Sequence, residues 1–230
     1  MKKNLFYCIF FCAFIYNVKI NAQNVQFGVR LGTNASWIGK TPDKASADGL
    51  NIGFTGGAWV RLAFRDADES GFYIQPELLF STFGSKYVSN LSSAFGKTEN
   101  KTLTTFRNLE VPVLAGYRMM LGETSELRLY AGPVFARVNN AKQVETTTIS
   151  TDANAATNTP ATSVSKEITN DITDKMKGSY TAGLLGVGFN IKKFTIDVRF
   201  QKVLTNMYQN STNTDDRPAM FQIGVGYRIF

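Results

Sequence analysis

Nine charged side chains recur inside otherwise apolar segments of this chain: Arg30, Arg61, Glu77, Glu110, Arg118, Arg128, Asp197, Arg199 and Arg228. Arginines among carboxylates suit ion pairing, anion binding or acid–base work by a carboxylate. The chain supplies little else for catalysis. It has no histidine, and both cysteines, Cys8 and Cys12, fall in an apolar run near the N-terminus. Group-transfer chemistry generally pairs a nucleophile with such a base, so the sequence predicts no catalytic residue and no enzyme. Asp43 with Asp48 and Asp215 with Asp216 lie in polar segments where paired acids are usually solvated, so no metal site is predicted. The glycines alternate inside strands and do not precede a helix, which leaves no phosphate loop and no cofactor site.

The elements that must position these charges share a period of two. In FTIDVRF, Phe194, Ile196, Val198 and Phe200 take one face, and Thr195, Asp197 and Arg199 the other. That is a strand, because successive side chains leave opposite faces of the pleat. Seven more segments read the same way: VQFGVRLG from Val25, NIGFTGGAWVRLAF from Asn51, FYIQPELLF from Phe72, LEVPVLAGYRM from Leu109, ELRLYAGPVFAR from Glu126, SYTAGLLGVGFNI from Ser179 and FQIGVGYRIF from Phe221. Each is near the length that a tilted strand needs to cross a bilayer.

All nine charges fall on the face that also holds the glycines, while the bulky residues hold the other. A soluble barrel would bury the bulky face. The reverse arrangement, apolar side to lipid and charge to a narrow lumen, predicts an eight-stranded antiparallel up-and-down transmembrane β-barrel. The connections agree: long polar segments at about 38–50, 84–102, 138–178 and 203–219 alternate with short turns at Arg65, Leu121 and Lys192. Phe64, Phe72, Tyr117, Phe194 and Tyr227 sit beside the short turns, where an interfacial aromatic girdle belongs. Pro76, Pro112 and Pro133 interrupt predicted strands and are expected at bulges or strand ends.

The segment MKKNLFYCIFFCAFIYNVKINAQ has the layout of a secretory signal peptide, with cleavage expected after Ala22. Residues 1–22 are then the export signal and 23–230 the barrel domain. Losing Lys2, Lys3 and Lys19 takes the formal net charge from +7 to +4, a scattered excess that argues for no nucleic acid. Without a later apolar run long enough for a helix, a closed barrel is the one way left to satisfy every backbone group in hydrocarbon.

GVRLGTNAS at Gly28, YIQPELLFS at Tyr73, LEVPVLAGYRM at Leu109, YAGPVF at Tyr130, GVGF at Gly186 and the closing IGVGYRIF make the chain resemble the Bacteroidetes outer-membrane β-barrel family that includes the PorT proteins. That resemblance implies a Gram-negative outer-membrane location and, from the named PorT members, an accessory role in type IX protein secretion.

Two readings of the lumen follow from the charges. A net-positive bore would pass anions, but an eight-stranded barrel is only wide enough for its own side chains to fill, so a structural plug of ion pairs is expected. The segment at 138–178, rich in Thr, Asn, Ala and Ser without an aromatic, is expected to be mobile and to bury no core. Its two uses would be a solvated screen or a contact surface. The expected partners are outer-membrane lipid and envelope or secretion proteins, and the barrel is expected to be monomeric. A small pore or ligand carrier, and a soluble periplasmic lipocalin-like barrel, are the competing expectations.

Overall fold

The computed structural model describes residues 25–38, 45–47, 50–66, 68–93, 96–151, 161–209 and 217–230. Residues 1–22, where the export signal is expected, lie outside that set, as do Asp43, Asp48, Asp215 and Asp216. Ten strands are described: β1 (Val25–Ile38), β2 (Ala45–Ala47), β3 (Asn51–Ala63), β4 (Gly71–Ser93), β5 (Gly96–Met120), β6 (Ser125–Thr151), β7 (Thr162–Asp171), β8 (Ser179–Ile191), β9 (Phe194–Val203) and β10 (Pro218–Arg228).

Eight of them, all but β2 and β7, pair antiparallel with both neighbours in a closed ring, which β1 and β10 seal from Gly28↔Arg228 to Ile38↔Pro218. Closure leaves no free edge in the wall. The alternation decides the faces: Ile196 and Val198 are 56% and 49% exposed, whereas Arg199 is 2% exposed. The barrel is therefore turned inside out relative to a soluble one, with an apolar exterior and polar residues within. At the end with the short turns, Phe72 packs on Tyr117 at 5.0 Å and Phe194 on Tyr227 at 5.3 Å, both edge to face. Near the opposite end Trp37, Phe200 and Phe221 form a second outward aromatic group, with centroids 5.2 to 6.4 Å apart.

The prolines do not make bulges. Trp59↔Glu77 and Leu62↔Ile74 on either side of Pro76 are three steps apart on both strands, so no residue is inserted. Pro112↔Val134 and Ala115↔Ala131 keep step in the same way past Pro133. A missing proline donor removes a ladder bond without changing the count, which preserves the inside–outside alternation. The one register shift between β5 and β6 lies elsewhere, at Arg107/Asn108.

Two expected loops are largely strand. At the end away from the short turns, β4, β5 and β6 run 23, 25 and 27 residues, and β7 adds to the outer edge of β6. Segments 84–102 and 138–178 were expected as loops because they are polar, yet their threonines, valines and isoleucines favour extended backbone and need only a pairing partner. The last tie between β1 and β4 is Ser36 Oγ to the Gly84 carbonyl oxygen, 2.8 Å. Beyond it β4 continues to Ser93, roughly 30 Å at about 3.3 Å per residue. The sheet thus stands well clear of the wall.

Candidate functional site

The inward residues of the short-turn half form one connected charge network. Arg199 grips Glu77 with both guanidinium amino groups, Nη1 to Oε2 at 2.7 Å and Nη2 to Oε1 at 2.9 Å. Its Nε donates to Asp197 Oδ1 at 2.6 Å, and Arg30 Nη2 donates to the same oxygen at 2.9 Å. The Tyr130 hydroxyl donates to Asp197 at 3.1 Å, and its ring lies 5.2 Å beneath the Arg199 guanidinium. A second knot centres on Glu126, which accepts from Arg61 Nη1 at 2.9 Å and from Asn190 Nδ2 at 2.6 Å. Arg128 donates twice to Asn190 Oδ1, at 3.0 and 2.8 Å. Gln75 joins the two knots, accepting from Arg61 Nε at 2.8 Å and donating to Glu77 at 2.6 Å.

Glycines make the network possible. A Cβ on Gly224 or Gly188 would sit 2.6 Å from the guanidinium of Arg30 or Arg128, and one on Gly186 would sit 2.6 Å from the Tyr130 ring. The small positions lie next to the long side chains, as a narrow lumen requires. The gap enclosed by Arg30, Trp59, Arg61, Arg128 and Asp197 is about 10 Å³, room for about one water.

Of the nine residues singled out in the sequence, Arg30, Arg61, Glu77, Arg128, Asp197 and Arg199 meet in this network. Three stand apart. Glu110 is buried but is held by Ser81 Oγ at 2.6 Å and the Tyr180 hydroxyl at 2.7 Å, without an arginine within ion-pair distance. Arg118 turns to the β3–β4 turn and donates to the carbonyl oxygens of Arg65 and Asp66. Arg228, near the end of β10, is half-buried and donates to the Lys192 carbonyl at 3.0 Å, so it belongs to the mouth and not to the plug. Glu126, Tyr130 and Asn190 are essential members that the sequence did not single out. Parity could have found Glu126, two places before Arg128 on the same strand.

The far half of the lumen holds an apolar cluster, which the sequence did not point to, beside buried polar residues such as Asn34, Ser85, Asn108 and Gln201. Phe83 packs on Phe106 at 5.4 Å and on Tyr180 at 6.0 Å, within a buried cluster that includes Val134, Leu184, Val203 and Met220. Ile172 and Met176, from the segment expected to bury no core, close over it with Met207. Backbone bonds fix that lid: Ile172 N–H to the Ala141 carbonyl at 2.9 Å, and Lys177 N–H to the Met207 carbonyl at 2.7 Å. Gln209 Nε2 adds bonds to the carbonyl oxygens of Asp174 at 2.9 Å and Met176 at 3.0 Å.

The lumen is therefore filled twice, by ion pairs and by an apolar cap. Its carboxylates in the network are consumed by arginines, which leaves them poor nucleophiles and poor bases. Among the described residues no group of three or more acids or cysteines could hold a metal ion.

A family model described as "Outer membrane protein beta-barrel domain" matches residues 21–209. Among solved structures, the chain is similar to Ail, the attachment invasion locus protein of Yersinia pestis, at 18% identity over 89% of this chain and 98% of that one, TM-score 0.33. It is also similar to Neisserial surface protein A, at 12% identity over 88% and 97% of the two chains, TM-score 0.39. No curated protein matches the sequence.

Proposed function

This chain belongs to the outer membrane protein beta-barrel domain family, and we propose that it serves in the outer membrane as a non-enzymatic, monomeric barrel that presents its projecting sheet to envelope partners. One observation carries the reading: the lumen is packed shut while three strands, β4 to β6, continue past the rim, with β2 and β7 paired to the outer edges of β4 and β6. Material that neither transports nor catalyses inside the wall leaves recognition outside it, where barrels generally carry their function. Every residue of β7 is exposed, and among the described residues its far edge has no strand partner, so it can accept an added strand. The finer reading is a PorT-like accessory of protein secretion, supported by the resemblance in GVRLGTNAS, LEVPVLAGYRM and IGVGYRIF. The packed lumen weighs against a pore or ligand carrier.

The test removes the projection and keeps the wall. Joining Lys86 to Leu103 and Gln143 to Asn170 through Asn-Gly turns follows existing pairings across those strands. Photo-crosslinkers placed on β7 of the intact protein should capture a discrete envelope protein, and the shortened barrel should assemble but lose secretion or envelope function. An intact phenotype in the shortened barrel would refute the reading.

A further inference from the structure

We propose that outward-facing basic side chains at the rim beside the projecting sheet bind the phosphates of outer-leaflet glycolipid. The inference rests on the barrel's place in the outer membrane and not on the proposed partner role. Short turns face the periplasm in such barrels and long excursions face outward, so the end bearing the projecting sheet is the outer one.

At that end β5 passes from Leu109, an exposed apolar residue of the wall, to Arg107 two places on, on the same outward face. On β6 the exposed Phe135 is followed outward by Arg137, and then by Lys142. Arg137 pairs with Leu109, Arg107 with Asn140 and Thr105 with Lys142. Lys142 is therefore a diagonal neighbour of Arg107, about 7–8 Å away on one sheet face, and Arg137 flanks Arg107 on the other side, across the register shift at Arg107/Asn108. That spacing brackets a phosphate group that two or three cations can reach together.

Two features separate this patch from ordinary surface charge. Among the described residues neither Arg107 nor Arg137 takes a hydrogen bond or an ion pair, although exposed Arg65 at the opposite rim pairs with Glu69 at 3.3 Å. The patch also begins where the apolar wall stops, the depth at which lipid phosphates lie. Lys202, two places beyond Phe200 in the outer aromatic group, is exposed at a corresponding level on the other side. Arginine is suited to this task because its planar fork meets phosphate oxygens through two parallel bonds. Lys142 has Asp171 as its pairing partner on β7, so Arg107 and Arg137 are the members of the patch without a counter-charge.

The full mature chain, folded in detergent micelles, is titrated with bisphosphorylated lipid A and with the same lipid after phosphate removal. A basic side chain near an anionic surface contributes about fivefold in affinity, so Arg107→Gln/Arg137→Gln/Lys142→Gln should bind the phosphorylated lipid roughly a hundredfold more weakly. Binding by the wild type should fall steeply with added salt, and Lys192→Gln/Lys193→Gln at the opposite rim should bind as the wild type does. Equal affinity for the dephosphorylated lipid, or a triple variant that binds within about twofold of wild type, would overturn the proposal. If the triple variant fails to assemble, phosphate removal and salt on the wild type still decide it.

Discussion

Arg199 and Glu77 stand 122 residues apart in sequence and meet in the lumen through two parallel hydrogen bonds, of 2.7 and 2.9 Å. The pair spans the bore between β9 and β4, which lie on separate sides of the ring, and so ties opposite walls together. Its stability depends on company. Gln75 donates to Glu77, Arg199 Nε donates to Asp197 and the Tyr130 hydroxyl, and Arg30 lies at 3.6 Å from Glu77; added bonds of this kind are what lets a buried ion pair hold without large cost.

Removing one partner should therefore cost far more than removing two. Glu77→Leu leaves Arg199 buried beside Arg30 with Asp197 alone to offset both, and should destabilise the barrel by about 3–5 kcal/mol. Adding Arg199→Leu keeps the Arg30–Asp197 contact of 2.9 Å and restores balance. Guanidinium unfolding in lipid vesicles should show the double variant as the more stable of the two. A double variant that loses the sum of both single losses would show that the pairs act independently.

The same substitution should have opposite outcomes on the wall and on the projection. Val198 in β9 faces outward from the wall, and Val198→Arg should cost about 2–4 kcal/mol if it lies near the midplane of the hydrocarbon. Val164 on β7 is 68% exposed, and Val164→Arg should change stability by no more than about 0.5 kcal/mol because water surrounds it. Heat-modifiable migration on gels reads both. Normal assembly of the Val198 variant would mean the faces are assigned wrongly.

Glycine positions should be graded by what lies beneath them. Gly186→Val would push a methyl group into the Tyr130 ring and lift its hydroxyl from Asp197, costing about 1–3 kcal/mol. Gly178, with nothing within 4 Å of an added Cβ, should accept alanine with a change within about 0.5 kcal/mol. Equal losses at both would argue that the space beneath an added side chain does not explain the glycines.

Acid should loosen the lid of the apolar cap by a defined route. Asp171 Oδ1 accepts from Thr173 Oγ1 at 2.6 Å and from Thr173 N–H at 2.9 Å, and these bonds hold its carboxyl below the ordinary carboxylate range. A lowered folded value stabilises the turn above the unfolded value of about 3.9, and that contribution disappears as pH falls through the folded one. The Thr173 amide resonance should titrate with a midpoint below the ordinary aspartate value and should not titrate in Asp171→Asn. A midpoint at or above that value would remove the turn from the account.

What the sequence showed and what it hid follow one physical line. The wall was legible because lipid and lumen impose opposite demands on neighbouring residues, so FTIDVRF could be read from parity alone. Arg30, Arg61 and Arg199 could be placed in the lumen by the same count, but partners could not, since pairing across the ring depends on which strands close it. Arg118 and Arg228 sit on the correct side of the pleat but too close to the turns to reach the plug. The projecting sheet was missed because water on both faces removes the alternation on which the reading depends: TSVSKEITND is strand in the structure and looks like loop in sequence. The apolar cap was missed because Phe83, Phe106 and Met220 lie near or beyond the ends of the segments read as strands, and Ile172 and Met176 are single apolar residues in a polar stretch.

The central claim is that the barrel is closed through its own packing, with function held outside the wall. Conductance across a planar bilayer tests it most directly. Purified full-length mature protein inserted in the bilayer should give a baseline indistinguishable from lipid alone at either polarity. Steady single-channel currents that scale with the number of inserted barrels would contradict a sealed lumen, and with it the assignment of function to the projecting sheet.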